Sequence, residues 1–155
     1  MNNPQRTTAT ASDAPEVISP DDVAVTSDGP RLLVGRCRDC GALSFPAAAV
    51  CHKCWSHFID RVEAGPQGTL YSYSTVHIGP KPWRTPYVLG YVDVTPQLRV
   101  LTHIQAADAG AIRIGSTVQL TRSDVQLEDG RAISTFVFSV LDINQVQPSE
   151  GAVHA

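Results

Sequence analysis

Four cysteines carry the clearest chemistry in this sequence. Cys37-Arg38-Asp39-Cys40-Gly41 and Cys51-His52-Lys53-Cys54 are two Cys-x-x-Cys units, separated by the ten residues 41–50. Two cysteines three apart in a tight turn aim both sulfurs at one point, while turn amides donate hydrogen bonds to the thiolates. Gly41 supplies the left-handed backbone such a turn commonly requires. Two of these knuckles make a tetrahedral thiolate set suited to Zn²⁺, and four protein ligands leave no open position for a catalytic water. Iron in a rubredoxin-like site would use the same donors, but no redox-partner motif accompanies them. A thioredoxin-like pair needs a βαβ context that the sequence lacks. Disulfides are disfavoured in a reducing cytosol, where the chain is expected to reside: its first residues show no basic and apolar leader, and no apolar run reaches the ~20 residues that span a bilayer. His52 is expected to face solvent, since the cysteines already fill the tetrahedron.

Outside the cysteines the inventory is thin. There is no Gly-x-Gly-x-x-Gly, Walker A or Gly-x-Ser-x-Gly motif, and all four cysteines of the chain are committed to metal. His77, His103, Asp93 and Asp142 are isolated, so no nucleophile, base and orienting group come together and no catalytic residue is assigned. The loop Gly79–Pro86 is more suggestive, because three prolines stiffen it and it groups Lys81, Trp83 and Arg84. Two cations and an indole suit a ligand with a phosphate and a flat base. The competing reading packs Trp83 on the end of the domain behind it. Tyr71, Tyr73 and Tyr91 read either as packing residues or as a stacking surface.

The elements that must position these residues are mostly strands. The 155 residues include 11 Gly and 11 Pro, which favours short strands and turns over long helices. The length fits one domain or two small ones. Leu70, Ser72, Ser74 and Val76 alternate with Tyr71, Tyr73, Thr75 and His77 in a strand period. Tyr87–Val94, Arg99–Gln105, Ser116–Thr121 and Ile133–Leu141 read as four more strands, with a hairpin turn at Glu128–Arg131 and a brief helical turn in Ala106–Ile114. Five strands with a longer central connection fit a closed barrel that leaves no exposed edge. The OB-fold, a five-stranded Greek-key barrel, matches this count and the central break, and an SH3-like barrel matches the count. The expected organisation is mainly β. A mobile tail over 1–29, with a weak helix start at Ser19-Pro20-Asp21-Asp22, precedes a zinc ribbon over 30–64. A barrel over 65–142 and a flexible tail over 143–155 follow. Phe45, Pro46, Val50 and Trp55 offer the ribbon only a modest apolar cluster, so metal should supply much of its stability.

Formal net charge is −3, but residues 1–30 carry a net −4, residues 31–100 a net +4 and residues 101–155 a net −3. A uniformly basic nucleic-acid binder is excluded, whereas a local site for an anion is not.

The run LLVGRCRDCGALSFP…CHKCWS, the following Gly68-Thr69-Leu70-Tyr71-Ser72, and Pro86-Tyr87-Val88-Leu89-Gly90-Tyr91-Val92 resemble the rubredoxin-like zinc-ribbon plus OB-fold proteins that accompany thiolases and related acyl-CoA enzymes. The resemblance spans roughly residues 30–142. It implies a non-catalytic helper subunit in a hetero-oligomer with a thiolase-superfamily partner (thiolase, acyltransferase or aldolase), bridging catalytic chains and helping bind or channel acyl-CoA. It implies structural zinc on Cys37, Cys40, Cys51 and Cys54. It also makes Lys81, Trp83, Arg84, Arg36 and Arg38 the candidates for coenzyme A or partner contact. The sequence departs from the family where Phe45-Pro46 is followed by Ala47-Ala48 in place of Pro-Arg, so any phosphate contact of that arginine falls to Arg36, Arg38 or Lys53. The family's N-terminal amphipathic helix is weak here. The alternative is a nucleic-acid-binding ribbon and barrel, which the acidic ends and the absence of a dense cationic groove oppose. Neither nucleic acid nor membrane is an expected partner.

Overall fold

The computed structural model describes residues 20–141 and the pair Glu16–Val17. Ser19, Asp142, and the remainder of the 1–29 and 143–155 tails lie outside the described residues.

A four-stranded ribbon sheet comes first. Its central strand β3 (Gly29–Cys37) pairs antiparallel with β2 (Val23–Thr26) and β4 (Leu43–Ser44), and with β5 (Ile59–Ala64). Sheet structure therefore begins inside the stretch expected to be tail. Pro20–Asp22 forms one 3₁₀ turn and no helix follows, because β-branched Val23 and Val25 lose χ1 freedom in a helix and suit a strand instead. A two-residue strand, β1 (Glu16–Val17), runs parallel to the last strand of the chain.

The second sheet is the barrel. Its strands are β6 (Gln67–Val76), β7 (Tyr87–Thr95), β8 (Leu98–Gln105), β9 (Thr117–Gln126) and β10 (Ala132–Val140). The order β10-β8-β7-β6-β9 closes through a β9–β10 pairing, with β10 parallel to β8 and the other barrel pairs antiparallel. That is OB-fold connectivity, which strand count alone left open. The β8–β9 connection holds a 3₁₀ turn, Ala109–Ala111, capped by the Asp108 carboxylate accepting from the Gly110 amide. There is no α-helix among the described residues.

Two strands depart from their expected extents for physical reasons. β6 begins at Gln67, where Gln67–Thr69 pairs with β9, and carries a bulge between Leu70 and Ser72; Tyr71 and Tyr73, two apart, are both exposed as the alternation predicts. β9 continues five residues past Thr121 through the polar run Arg122–Gln126, because β10 pairs with it as far as Gln126. Backbone pairing holds that end, not apolar alternation. The Glu128–Arg131 hairpin turn forms as expected, with the Leu127 amide donating to the Arg131 carbonyl at 2.8 Å.

Leu32, Val34 and Ala64 from the ribbon share one core with Leu70, Val92, Val100, Leu120 and Phe138 from the barrel. Phe45 adds an edge-to-face contact with Phe136 of β10, ring centroids 5.5 Å apart. Gly90 lies in the barrel wall where a Cβ would meet Ile104 at 2.7 Å and the Ser72 carbonyl oxygen at 2.9 Å, so no larger residue fits.

Candidate metal centre

β3 delivers Cys37 at its end, and the first knuckle follows. The Cys37 amide donates to the Ala42 carbonyl and the Gly41 amide to the Cys37 carbonyl, both at 2.9 Å. The second knuckle repeats the pattern at the same offsets. The Cys51 amide donates to the Ser56 carbonyl at 2.8 Å and the Trp55 amide to the Cys51 carbonyl at 3.0 Å. Both turns need a left-handed residue directly after their second cysteine. Gly41 takes φ +70° without a Cβ penalty, whereas Trp55 takes φ +63° as a full L-residue.

The two turns bring the four sulfurs within 4.8 Å of one another, with Cys37 Sγ to Cys54 Sγ and Cys40 Sγ to Cys51 Sγ each at 3.5 Å. A tetrahedron of thiolates on zinc needs S···S separations of about 3.8 Å, given Zn–S bonds of about 2.3 Å. The donor set and its spacing fit structural zinc. All four cysteines are free of disulfides. Amides prepare the anionic form unequally. The Cys54 and Lys53 backbone N–H groups hold the Cys51 thiol down to about 6. At Cys54 the Ser56 amide pulls in the same direction, but the neighbouring thiols and burial outweigh it and push the group up to about 12. A metal ion reverses that cost by supplying positive charge to all four.

Within residues 38–58 the only side chain buried is Cys51. Trp55 is 78% exposed and contributes nothing to the apolar cluster expected for the ribbon, because its left-handed backbone turns it outward. Phe45 packs on the barrel instead.

The structure scatters the other candidate residues. Arg36 and Arg38 are exposed at the end of β3, and Arg38 is committed to Asp60, with Nε donating to Oδ1 at 2.8 Å. That hydrogen bond holds the Asp60 carboxyl below its ordinary range. Lys81 and Arg84 are exposed in the β6–β7 loop. Trp83, between them, is half buried. Its ring stacks on His103 with centroids 5.2 Å apart, Tyr87 lies 5.1 Å from His103, and the Trp83 backbone bridges to Leu127. The Arg84 amide donates to Gln126, and Glu128 to Pro82, so the β6–β7 loop is tied to the β9–β10 hairpin. The indole therefore packs on the barrel while its flanking cations stay exposed. Burial under this stack lowers the His103 pKa by disfavouring its charged form.

Tyr71, Tyr73 and Tyr91 are all exposed on the outer barrel wall. The Arg99 guanidinium lies 3.2 Å from the centre of the Tyr71 ring and pairs with Asp93, Nε to Oδ1 at 2.6 Å. Residue-by-residue reading missed this trio and the His103 stack. The Asp93–Arg99 pair was recoverable from its symmetric placement about the Thr95-Pro96-Gln97 turn, since opposed hairpin residues share a face.

A four-thiolate knuckle pair joined to a closed OB barrel defines a zinc-ribbon plus OB-fold protein. The chain matches the ChsH2 rubredoxin-like zinc ribbon domain over residues 30–58 and the ChsH2 C-terminal OB-fold domain over residues 61–122. It is 34% identical over 122 residues to the benzoylsuccinyl-CoA thiolase subunit BbsA of Thauera aromatica, covering 77% of this chain and 84% of that protein. The BbsA of Geobacter metallireducens is 33% identical, with 71% and 75% covered. Among solved structures an Ltp2-ChsH2(DUF35) aldolase matches with a TM-score of 0.53 and 30% identity, covering 70% of this chain and 84% of that one. The chain belongs to the ChsH2-type zinc-ribbon plus OB-fold family, to which it is tied by both domain models and by its likeness to the BbsA thiolase subunit.

Proposed function

We propose that this chain is a non-catalytic accessory subunit of an acyl-CoA-processing complex. It binds a thiolase-superfamily catalytic chain in a hetero-oligomer, bridges subunits and helps hold or channel the acyl-CoA. The observation that carries this reading is the similarity to a thiolase subunit across 84% of that subunit's length, ribbon and barrel included. Residue chemistry supports it. The cysteines form a closed thiolate set, His103 packs beneath an indole where burial lowers its pKa, and His77, expected on a strand, is exposed in the bend just past the end of β6. Exposed Lys81, Arg84 and Arg36 offer charge to the phosphates of coenzyme A, while Trp83 stiffens the loop that presents two of them. A reducing cytoplasm keeps the four thiols available for zinc. Nucleic acid has no part in this reading, because the cations of residues 31–100 are divided between ribbon and barrel, and two of them, Arg38 and Arg99, are paired with Asp60 and Asp93.

The test is reconstitution with a thiolase-superfamily chain from the same organism. The pair is expected to co-purify and to turn over a CoA thioester, and the catalytic chain alone to lose most of that rate. Full activity of the catalytic chain alone refutes the proposal. In the complex, replacing Lys81 and Arg84 together by Ala is expected to raise KM for the CoA thioester about tenfold and flatten its salt dependence. An unchanged KM removes the loop from the CoA site.

A further inference from the structure

The four sulfurs are equal as zinc donors but not in access. Cys37 and Cys51 are 2% and 4% exposed and Cys40 is half buried, whereas Cys54 is open to solvent. Bound to zinc, all four are thiolates, so access rather than acidity separates them toward a small oxidant. Cys37 Sγ lies 3.5 Å from Cys54 Sγ, and Cys40 Sγ lies the same distance from Cys51 Sγ. Both contacts cross from one knuckle to the other. Either pair becomes a disulfide with a closing movement of about 1.5 Å. An exposed thiolate with a second one directly behind it is the arrangement of an attacked and a resolving cysteine.

We propose that the metal centre is also a modification site for hydrogen peroxide, with Cys54 as the attacked sulfur and Cys37 as the resolving one. The Cys54 thiolate attacks one peroxide oxygen, the O–O bond breaks, hydroxide leaves and a sulfenic acid forms. The Cys37 thiolate then attacks that sulfur, the S–S bond forms and a second hydroxide leaves. Two thiolates have given two electrons to one peroxide, and the site is left with two of its four donors, too few to retain the ion. A second peroxide converts Cys40 and Cys51 in the same way. Both disulfides tie one knuckle to the other, so they take over the crosslink that the metal provides. Pairing within each knuckle, Cys37 with Cys40 and Cys51 with Cys54, leaves the two turns unjoined. Residues 38–58 fully bury only Cys51 and depend on that crosslink. Only the pairing across knuckles therefore lets the segment survive oxidation and return to the zinc form when a dithiol and zinc are supplied. This chemistry needs no partner chain, so it stands apart from the accessory-subunit reading.

The test treats the zinc-bound full chain with hydrogen peroxide and follows zinc release with a chromogenic chelator, with dimedone added in one arm to trap sulfenic acid. The first dimedone adduct is expected on Cys54. Without dimedone the bound zinc is expected to be released in full, and peptide maps under non-reducing conditions to show Cys37 joined to Cys54 and Cys40 to Cys51. The amides of Gly41 and Trp55 should then exchange within about tenfold of their zinc-bound rates, against a rise of about 100-fold or more when zinc is removed by chelation instead. Dithiothreitol with added zinc should restore the metal content. A first adduct on any other cysteine, disulfides within the knuckles, or thiols that dithiothreitol does not recover each overturn the inference. So does zinc retained at peroxide concentrations that fully oxidise free cysteine in a parallel sample.

Discussion

His103 lies under the indole of Trp83 and beside the ring of Tyr87, so protonation places a cation in a half-dry stack. Burial lowers its pKa relative to the unfolded chain. Between the folded and unfolded values the unfolded chain binds more protons, so stability rises with pH across that window. The contribution is complete above the unfolded value of about 6.5 and is lost as pH falls through the folded value. Trp83→Ala removes the cover. The His103 pKa is then expected to move up toward its ordinary value, as read from an NMR titration of its ring proton, and the slope of stability against pH just below neutrality to shrink. The variant should also lose about 2 kcal/mol, less than the ~3–5 of a fully buried aromatic, because Trp83 is only half buried. An unmoved His103 titration would show that another group desolvates the ring. Arg99 behaves differently, since its stacking on Tyr71 and pairing with Asp93 are exposed and screened.

At the scale of elements, the knuckle segment and the barrel draw on different sources of stability. Residues 38–58 fully bury only Cys51, with Leu43 and Phe45 reaching the core in part, so the metal carries much of what a core does elsewhere. Structural zinc contributes about 10–16 kcal/mol in finger peptides. Removing it with a strong chelator is expected to open the amides of Cys40, Gly41 and Trp55 to rapid hydrogen exchange, while those of Val92, Val100 and Phe138 stay protected. Uniform exchange in both units would contradict this division. The cysteine site was legible in the sequence because its ligands are local, three apart within each turn. The barrel's five strands were legible from alternation and turn residues. What escaped was set by backbone pairing: the hairpin that joins β2 to β3, the Arg122–Gln126 extension held by its hairpin partner β10, and the long-range bridge from Trp83 to Leu127. Such pairings ask little of side-chain type and leave no pattern to read. The outward turn of Trp55 escaped for another reason, since the sequence shows an aromatic but not the sign of φ.

For the whole molecule the question is whether ribbon and barrel are two bodies or one. Sequence reading divides them near residue 64, yet the packing does not. Leu32 and Val34 of β3 are almost completely buried in the same cluster as Leu120 and Phe138. Phe45, from the loop that joins the knuckles, reaches Phe136 of the barrel. β3 and β5 are therefore anchored by the barrel even though the knuckle tips depend on metal. A shared core makes unfolding cooperative, and a domain of this size is expected to melt in one transition. With zinc bound, calorimetry should show a single peak whose calorimetric and van't Hoff enthalpies agree. Phe45→Ala removes a half-buried ring and its edge-to-face contact, at a cost of about 1–3 kcal/mol. Its Tm should fall for ribbon and barrel probes alike, and chelation should then open exchange further into β3 than in the parent. Two resolved peaks in the zinc-bound parent would mean that the units are thermodynamically separate.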